Sequence, residues 1–301
     1  MLMRWAVPLA AASVLLAACQ RPAGSVAVAR PRYRIGYMIC NSEEETLRRF
    51  RPLTAYLGRE LGAELEAVAI DTVDYPKRAR ELDFTHTNSL LYVLLHRLHG
   101  VEIVAAERAG ALGARAQGAI IARADSGLRT LGDLKGKRMM FGPALGPLSY
   151  MSQLDLLQRA GIDPDGDLAL YSIPPGSFKH EKVIYAVLFG RADAGAVPVG
   201  DLDRMAAEGR IERGDFTVLA TAEPILYCNV GRGQTVDDAL AARVQRALLA
   251  LDRTTTVAVD GEVVKVLERA AVDGYEVVRD ADFDPVRRMA QRTGMPPYEK
   301  L

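Results

Sequence analysis

The sequence has no excess of charge of either sign and few cysteines. Its 38 basic residues are balanced by 38 acidic ones. Proteins that hold nucleic acid need a basic excess to neutralise phosphates, so the balance excludes that class of partner. Three cysteines in 301 residues are also too few for a disulfide framework.

Long hydrophobic runs and enzyme signatures are missing as well. Beyond the N-terminus, no apolar stretch approaches the roughly 20 residues that a membrane-spanning helix needs. No G-x-S-x-G, Walker or H-E-x-x-H pattern is present, so we predict neither an enzyme nor a bound cofactor or metal. Hydrophobic residues at 49% and charged residues at 25% are typical of a folded globular chain.

The N-terminus is the first positive signal. Arg4 is followed by an apolar run to Leu16 and then by Ala17-Ala18-Cys19. A basic start, an apolar centre and small residues before a cut site predict a secretory signal over residues 1–18. Cysteine directly after Leu-Ala-Ala resembles the lipobox of bacterial lipoproteins. This resemblance implies a lipid on Cys19 and anchorage on the periplasmic side of a bacterial membrane; the alternative is an ordinary signal with an accidental cysteine.

The rest of the chain shows an α/β pattern. Residues 19–32 lack periodicity and are predicted to be a flexible tether. Ser42 followed by Glu45 is a capping-box pattern that predicts a helix over 43–62. From there to about residue 219, short apolar runs alternate with helical periodicity, which predicts parallel α/β sheets. Three later segments are predicted to be helical: 236–251, 254–270 and 283–293.

Several motifs resemble one family. The string Asp125–Arg138 resembles the hinge-proximal stretch of type II periplasmic binding proteins, in particular the phosphonate- and phosphite-binding branch. Gly176–Glu181, followed by Ala186–Gly195, resembles that branch's Gly-Ser-His and Asn-Gly-x-Ala-Asp-Ala-Gly motifs. Pro52-Leu53-x-x-Tyr56-Leu57 resembles its first helix. The resemblance extends over about residues 33–295.

This resemblance implies a two-lobed fold, in which each lobe is a mainly parallel sheet flanked by helices and the ligand lies in the cleft between. Lobe 1 would comprise 33–117 and 224–301, and lobe 2 would comprise 118–223. The implied function is a monomeric, lipid-anchored binding protein that closes on a phosphonate-, phosphite- or phosphate-like solute and delivers it to an ABC permease. The alternative is a sensing component for a membrane histidine kinase, with a metalloid or oxyanion such as arsenite as its ligand.

The loop after one strand departs from the family. Phosphonate binders usually show Ser-Thr-Ser-Gly there, whereas this chain has Ala-Leu-Gly-Pro over 144–147. Backbone N–H groups at the following helix start remain as donors to an oxyanion. Pro198 stands where the family often has an acidic residue, so a cationic amine on the ligand is not expected. The candidate residues of this loop are Leu145, Gly146, Ser149 and Tyr150.

Two histidines are further candidates. His180 corresponds to the family's ligand-facing histidine, and its alternative is a solvent-facing residue at a helix start. His86, Thr87 and Asn88 end a strand before a helix, where Thr and Asn also serve as N-caps. Tyr92, one turn into that helix, is predicted either at the cleft wall or in the core.

Cys40, beside Asn41, and Cys228 are expected near the cleft because both follow or precede strands at its edge. Three interpretations stay open at this point. They are separate buried thiols, a disulfide formed in the oxidising exterior, or contacts to a soft ligand such as a metalloid or metal. Their spacing matches no zinc signature.

Overall fold

The computed structural model describes residues 30–174 and 180–299. Cys19 and residues 176–179 of the second family motif lie outside the described residues. The described strands and helices all belong to the unit that begins at Pro31. Among the described residues, no helix combines the length and the apolar character needed to cross a membrane.

The described residues form fifteen strands and ten α-helices. In chain order the strands are Arg32–Met38 (β1), Glu64–Ile70 (β2), Phe84–Thr87 (β3), Glu102–Arg108 (β4), Arg115–Ala116 (β5), Gly118–Arg123 (β6), Arg138–Met140 (β7), Leu170–Ser172 (β8), Ala194–Pro198 (β9), Phe216–Thr221 (β10), Ile225–Leu226 (β11), Asn229–Arg232 (β12), Thr256–Val259 (β13), Glu262–Lys265 (β14) and Gly274–Glu276 (β15). The helices are Glu43–Leu61 (α1), Tyr75–Arg78 (α2), Ser89–His99 (α3), Ser152–Arg159 (α4), Pro164–Asp167 (α5), Glu181–Leu188 (α6), Val199–Ala207 (α7), Asp238–Leu249 (α8), Val266–Ala270 (α9) and Asp284–Thr293 (α10).

The first sheet has six strands in the order β15-β4-β12-β3-β1-β2. Strand β1 pairs in parallel with β2 and β3, whereas β12 runs antiparallel between β3 and β4. Alternate residues of β1 enter different cores: Tyr37 packs with Phe50 of α1, and Met38 packs on the other face with Tyr75. Because helices cover both faces, the strands are buried on both sides.

The second sheet has five strands in the order β10-β6-β9-β7-β8. Strands β7, β8 and β9 are parallel, and β6 runs antiparallel to β9 and β10. In each sheet, four strands therefore point the same way. The predicted two-lobed α/β fold with mainly parallel sheets is confirmed, with β6, β12 and β15 as the reversed strands.

Capping residues at both ends of α1 determine where this helix begins and ends, as the sequence predicts. The side chain of Ser42 accepts a hydrogen bond from the backbone N–H of Glu45, and three glutamates lie in the first turn, where the helix dipole favours negative charge. Gly62 ends the helix in the left-handed conformation, at φ 62°, which glycine adopts without a Cβ clash. The predicted helix over 43–62 is confirmed.

The prediction of a helix over 254–270 is wrong for most of its length. Strands β13 and β14 form an antiparallel hairpin, and only α9 is helical. Asp260 and Gly261 both have positive φ, at 53° and 85°, as a two-residue hairpin turn requires. The β-branched residues on either side of this Asp-Gly pair favour strands over a helix.

The chain passes between the two sheets through a short ribbon. Strand β5 leaves the first sheet, β11 returns to it, and the two pair antiparallel. Helix α10 packs against α3 and also against α4, so it bridges both sides of this crossing. Arg292 of α10 donates two hydrogen bonds to the buried carboxylate of Asp155 on α4, at 2.6 and 2.9 Å. The residue boundaries expected for the two lobes, at 117/118 and 223/224, stay a prediction.

Candidate functional site

A small cavity lies where the two lobes face each other, at the carboxyl ends of β1 and β3. Its volume is about 40 Å³, which is room for about one water molecule. A larger ligand therefore requires the lobes to separate. The cavity is lined by Met38, Ile39, Cys40, Thr72, Asn88 and Tyr227 on the side of the first sheet, and by Pro143, Leu145, Gly146 and His180 on the side of the second.

Asn88 makes a contact across the cavity. Its Oδ1 accepts from the N–H of Leu91 at 2.9 Å and so caps α3. Its Nδ2 donates to the carbonyl oxygen of Leu145 at 3.1 Å, on the opposite lobe. The predicted cap and the predicted cavity position are thus combined in one side chain. This donor is occupied while the lobes touch, so a ligand entering here replaces the Leu145 carbonyl as its partner.

His180 faces the cavity with a fixed ring. Its Nδ1 lies 2.7 Å from the Oδ2 of Asp201, and Arg204 donates to the other oxygen of that carboxylate, Oδ1. Burial acts to raise the pKa of Asp201, but the hydrogen bond and charge of His180 outweigh it, so this pKa is lowered and the group is a carboxylate. Because Nδ1 is engaged, Nε2 is the ring nitrogen left for a ligand.

His86 lies below the cavity in a buried network. Its Nε2 is 2.7 Å from the Oε1 of Glu107, and the Tyr275 hydroxyl donates to the same oxygen at 3.3 Å. Burial acts to raise the pKa of Glu107. The charge and hydrogen bond of His86, together with the charge of Arg49, outweigh burial, so this pKa is lowered overall. The structure therefore commits His86 to Glu107 and does not bring its side chain to the cavity.

Two neighbours of His86 are also kept from the cavity. Thr87 is fully buried, and its hydroxyl donates to Asn229 at 3.4 Å. Tyr92 is fully buried too; its hydroxyl donates to Asp280 at 2.8 Å, and its ring lies 4.2 Å from that of Phe283. Of the two alternatives for Tyr92, the structure places it in the core.

The loop after β7 is organised by its own hydrogen bonds. The N–H of Gly146 donates to the Pro143 carbonyl at 2.8 Å, and the N–H of Ser149 donates to the Gly146 carbonyl at 3.4 Å. The Ser149 side chain is fully buried, and a Cβ on Gly146 would lie 2.4 Å from its Oγ. Two of the N–H groups expected to hold an oxyanion are therefore used inside the turn, and the hydroxyl is enclosed by it.

Three more predicted residues, considered next, are not among those that line the cavity. Tyr150 packs edge-on against Phe141, with ring centroids 5.2 Å apart. Pro198 is buried where β9 pairs with Gly118. Asn41 donates a hydrogen bond to Glu45 at the start of α1.

Both described cysteines are free thiols, Cys40 exposed and Cys228 partly exposed. The strands next to them, β1 and β12, have β3 between them. At about 4.8 Å per strand this spacing is about 10 Å, whereas a disulfide needs Cα atoms within about 7 Å. A disulfide would thus require the backbone to move.

The electrostatics of the thiols oppose the soft-ligand interpretation. Although part of Cys40 is exposed, the two lobes around the cavity desolvate its thiol and raise the pKa of Cys40; Arg49 only partly offsets this. Burial and Glu107 raise the pKa of Cys228. The thiolate is the form that binds metals and metalloids. Among the described residues no group of three or more His, Cys, Asp or Glu side chains is placed to hold a metal ion.

Sequence reasoning missed five residues near the site: Arg49, Thr72, Glu107, Asp201 and Tyr227. Glu107 had a signal, because an acid directly after the apolar run Ile103–Ala106 marks a strand end. Asp201 follows Pro198 by three residues, so an acid lies close to the position where the family often has one. Arg49 had no linear signal, because its position depends on how α1 is rotated against the sheet.

A sequence model of one family, described as ABC transporter, phosphonate, periplasmic substrate-binding protein, matches residues 35–283. PhnD1 from Prochlorococcus marinus (MIT 9301), solved with methylphosphonate, aligns with a TM-score of 0.73 at 13% identity, covering 87% of this chain and 97% of that one. A binding-protein component of a phosphonate ABC transporter from Pseudomonas aeruginosa aligns with a TM-score of 0.69 at 16% identity, covering 88% and 87%. These likenesses show the fold.

A curated relative adds a second similarity. The tetrathionate sensor histidine kinase TtrS of Salmonella typhimurium is 27% identical over 233 residues, which is 72% of this chain. The chain spans only 39% of that relative's length.

Proposed function

Because the chain belongs to the family of phosphonate ABC-transporter periplasmic substrate-binding proteins, we propose that it captures a small oxyanion between its lobes and hands it to a membrane permease. The ligand class is phosphonate-, phosphite- or phosphate-like. The cavity itself supports an anion, because its described lining residues include no carboxylate and its one ionisable nitrogen base, His180, makes no hydrogen bond through Nε2 to any described residue.

The observation that carries the proposal is the pairing of His180 with Asp201 opposite Asn88. With Nδ1 bonded to a carboxylate, Nε2 is the ring atom that meets a ligand: it accepts from a protonated ligand oxygen in the neutral ring and donates in the imidazolium. Across the cavity, the Asn88 amide supplies an N–H donor once it leaves Leu145. Polar groups from both lobes then meet on one ligand, so binding favours the closed state over the open one.

The oxyanion class is tested by thermal unfolding of the purified protein with phosphate, phosphite, methylphosphonate, sulfate and arsenite. A ligand at 100 times its Kd adds about 2.7 kcal/mol to the free energy of unfolding. We expect at least one phosphorus oxyanion to raise Tm by several degrees. A flat response to all five would contradict the proposal.

Replacing His180 by glutamine should weaken oxyanion binding by about 10- to 100-fold, because a hydrogen bond to a charged group contributes about 1.5–3 kcal/mol. The matched control is His96→Gln, since His96 Nδ1 bonds the Val101 carbonyl away from the cavity. Affinities come from isothermal titration calorimetry. Equal losses in both variants would remove His180 from the site.

Lipid attachment at Cys19 is part of the same proposal. The Leu-Ala-Ala-Cys string and the family's periplasmic role support it. Expressed in bacteria fed radiolabelled palmitate, the wild-type chain should carry label and fractionate with membranes. Cys19→Ala should carry no label, whereas Cys40→Ala should be labelled normally. Label on the Cys19→Ala protein would show that the lipid is attached to a different residue.

Sensing is the second candidate function, and the similarity to a tetrathionate sensor histidine kinase over 72% of this chain favours it. In that case the closed protein would present its shape to a membrane kinase instead of a permease. Tetrathionate joins the ligand candidates on this ground. If the protein binds tetrathionate more strongly than methylphosphonate and a kinase gene lies beside its own gene, sensing is supported. If it binds methylphosphonate more strongly and permease genes lie beside its own gene, import is supported.

A further inference from the structure

Both oxygens of the Asp201 carboxylate are held by neighbouring side chains. Oδ2 lies 2.7 Å from the Nδ1 of His180, and Oδ1 accepts a hydrogen bond from Arg204 at 3.1 Å. Arg204 is itself held, because it also donates to Glu181 of α6 at 3.2 Å. Asp201 lies in the first turn of α7, where the helix dipole favours a negative charge. The carboxylate is therefore fixed in orientation, and it fixes the imidazole in turn.

This contact determines where the imidazole carries its hydrogen. A carboxylate only accepts hydrogen bonds, so at 2.7 Å the Nδ1 of His180 has to be the donor. In the neutral ring Nε2 is then an acceptor, and in the imidazolium it is a second donor. His180 lines the cavity, so Nε2 is the nitrogen that an anion meets there. Whether it comes from the ring or from the ligand, one proton then lies between Nε2 and a ligand oxygen.

The other ionisable groups around the ring keep their charge states near neutral pH. They are Asp201, Glu181 and Arg204 on the side of the second sheet, and Cys40 and Tyr227 across the cavity. Desolvation in the cavity wall raises the pKa values of the thiol and the hydroxyl. Hydrogen bonds lower the pKa values of the two carboxylates, although burial opposes this. These groups therefore stay unchanged between about pH 5 and 8, the range in which an imidazole changes its charge.

We propose that Asp201 is a positioning residue of the ligand site: it keeps a hydrogen on Nδ1 of His180, so that Nε2 binds an oxyanion through one shared proton. The inference rests on the proposed oxyanion function and deepens it, because it says which oxyanions the site prefers. The proton is conserved in the binding step. Either an imidazolium binds the fully ionised anion, or a neutral imidazole binds an anion that still carries a proton.

The shared proton makes the site selective. A phosphate-type oxyanion loses its second proton near neutral pH, at about 6 in phosphate esters, so it can bring the proton itself. A sulfonate has no such proton, and its binding depends on the ring being charged. Once the ring has lost its charge, sulfonate affinity should fall by about tenfold per pH unit. The arrangement therefore favours phosphonate-type over sulfonate-type ligands as the pH rises.

The test replaces Asp201 by asparagine, which keeps the shape of the side chain and removes its charge. Affinities for methylphosphonate and methanesulfonate are measured by isothermal titration calorimetry at about pH 5.5 and about pH 8. Without the carboxylate the imidazolium is less favoured, so D201N should bind within a few-fold of the wild type at the lower pH and about 10-fold more weakly at the higher pH. The matched control is D203N, because Asp203 pairs with Arg213 at the surface of the same helix; it should bind like the wild type at both pH values.

Two results would overturn the role of Asp201 and leave the proposed function standing. One is an unchanged affinity of D201N at both pH values, and the other is a loss of equal size at both, which a merely structural role would produce. Across the same pH range, the wild type's preference for methylphosphonate over methanesulfonate should increase by about tenfold; a constant or falling preference contradicts the shared proton. Binding of neither probe by the wild type overturns both the inference and the proposed function.

A measurement on the wild type keeps the inference testable if D201N does not fold. Heteronuclear NMR of the imidazole nitrogens reports which ring nitrogen carries the hydrogen. The chain has 4 histidines, and the signal that is lost in His180→Gln identifies His180. We expect the neutral ring of the ligand-free protein to carry its hydrogen on Nδ1. A hydrogen on Nε2 instead would overturn the role of Asp201.

Discussion

Replacing Glu107 by alanine is expected to lower the free energy of unfolding by about 3–5 kcal/mol, the cost of removing one partner from a buried charged network. The side chain of Glu107 is 5% exposed, and it accepts from His86 at 2.7 Å. Its loss leaves His86 and Tyr275 without their shared acceptor and removes the compensating charge near Arg49. Chemical denaturation monitored by circular dichroism measures the difference.

Glu102→Ala is the matched control on the same strand. Its exposed carboxylate pairs with Arg232 at the surface, and such pairs contribute about 0–1 kcal/mol. If Glu102→Ala lowered the free energy of unfolding as much as Glu107→Ala, β4 would be sensitive to any substitution, and the buried network around Glu107 would not explain the effect.

The contribution of Glu107 should also depend on pH. Its pKa is lowered in the folded state from its ordinary value of 4.5, so the stabilisation is present above pH 4.5 and is lost as the pH falls through the lowered value. The stability gap between the wild type and Glu107→Gln should therefore shrink below pH 4.5. A gap that widens on acidification would show that the carboxylate is not favoured by folding.

Gly118→Ala is expected to destabilise the protein by about 3 kcal/mol, because overpacking costs about 1–3 kcal/mol and displaced buried donors cost about 1–3 kcal/mol more. A Cβ there would lie 2.2 Å from the Oγ of Ser152 and 2.8 Å from the Leu148 carbonyl oxygen. It would also lie 2.6 Å from the Nε2 of Gln153, which donates to three backbone carbonyls next to the inter-lobe ribbon.

Gly200→Ala provides the comparison for this change. A Cβ at Gly200 meets nothing within 4 Å, and the residue lies in α7. Alanine in place of helical glycine stabilises by about 0.5–1 kcal/mol. Thermal unfolding should thus move in opposite directions for the two variants. A Gly118→Ala protein as stable as the wild type would show that the crossing repacks easily.

The helices with strong end signals were predictable. Ser42 and Gly62 define α1, and Asn88 caps α3, because capping chemistry acts within one turn of the chain. The hairpin at β13 and β14 was missed although Asp260-Gly261 between β-branched residues signals it. The Asp-Gly pair has local turn chemistry, and apolar spacing alone did not reveal it.

The predicted site residues likewise fall into a group that lines the cavity and a group that does not. Cys40, Asn88, Leu145, Gly146 and His180 could be placed at the cavity because strand ends and helix starts meet at one edge of a sheet. His86, Thr87 and Ser149 have the same sequence context, yet their side chains point into the protein. Which way a strand-end side chain points depends on the register of the neighbouring strands, and one residue of shift reverses it.

By itself, the sequence determined the α/β class, the balanced charge and the family, since these follow from composition and from motifs within short stretches of chain. Only the tertiary structure decided the electrostatics of the cleft. Glu107 with His86 and His180 with Asp201 each join residues 21 positions apart, and Tyr275 reaches Glu107 from 168 positions away. Their pairing depends on strand order and lobe contact, which no local pattern encodes.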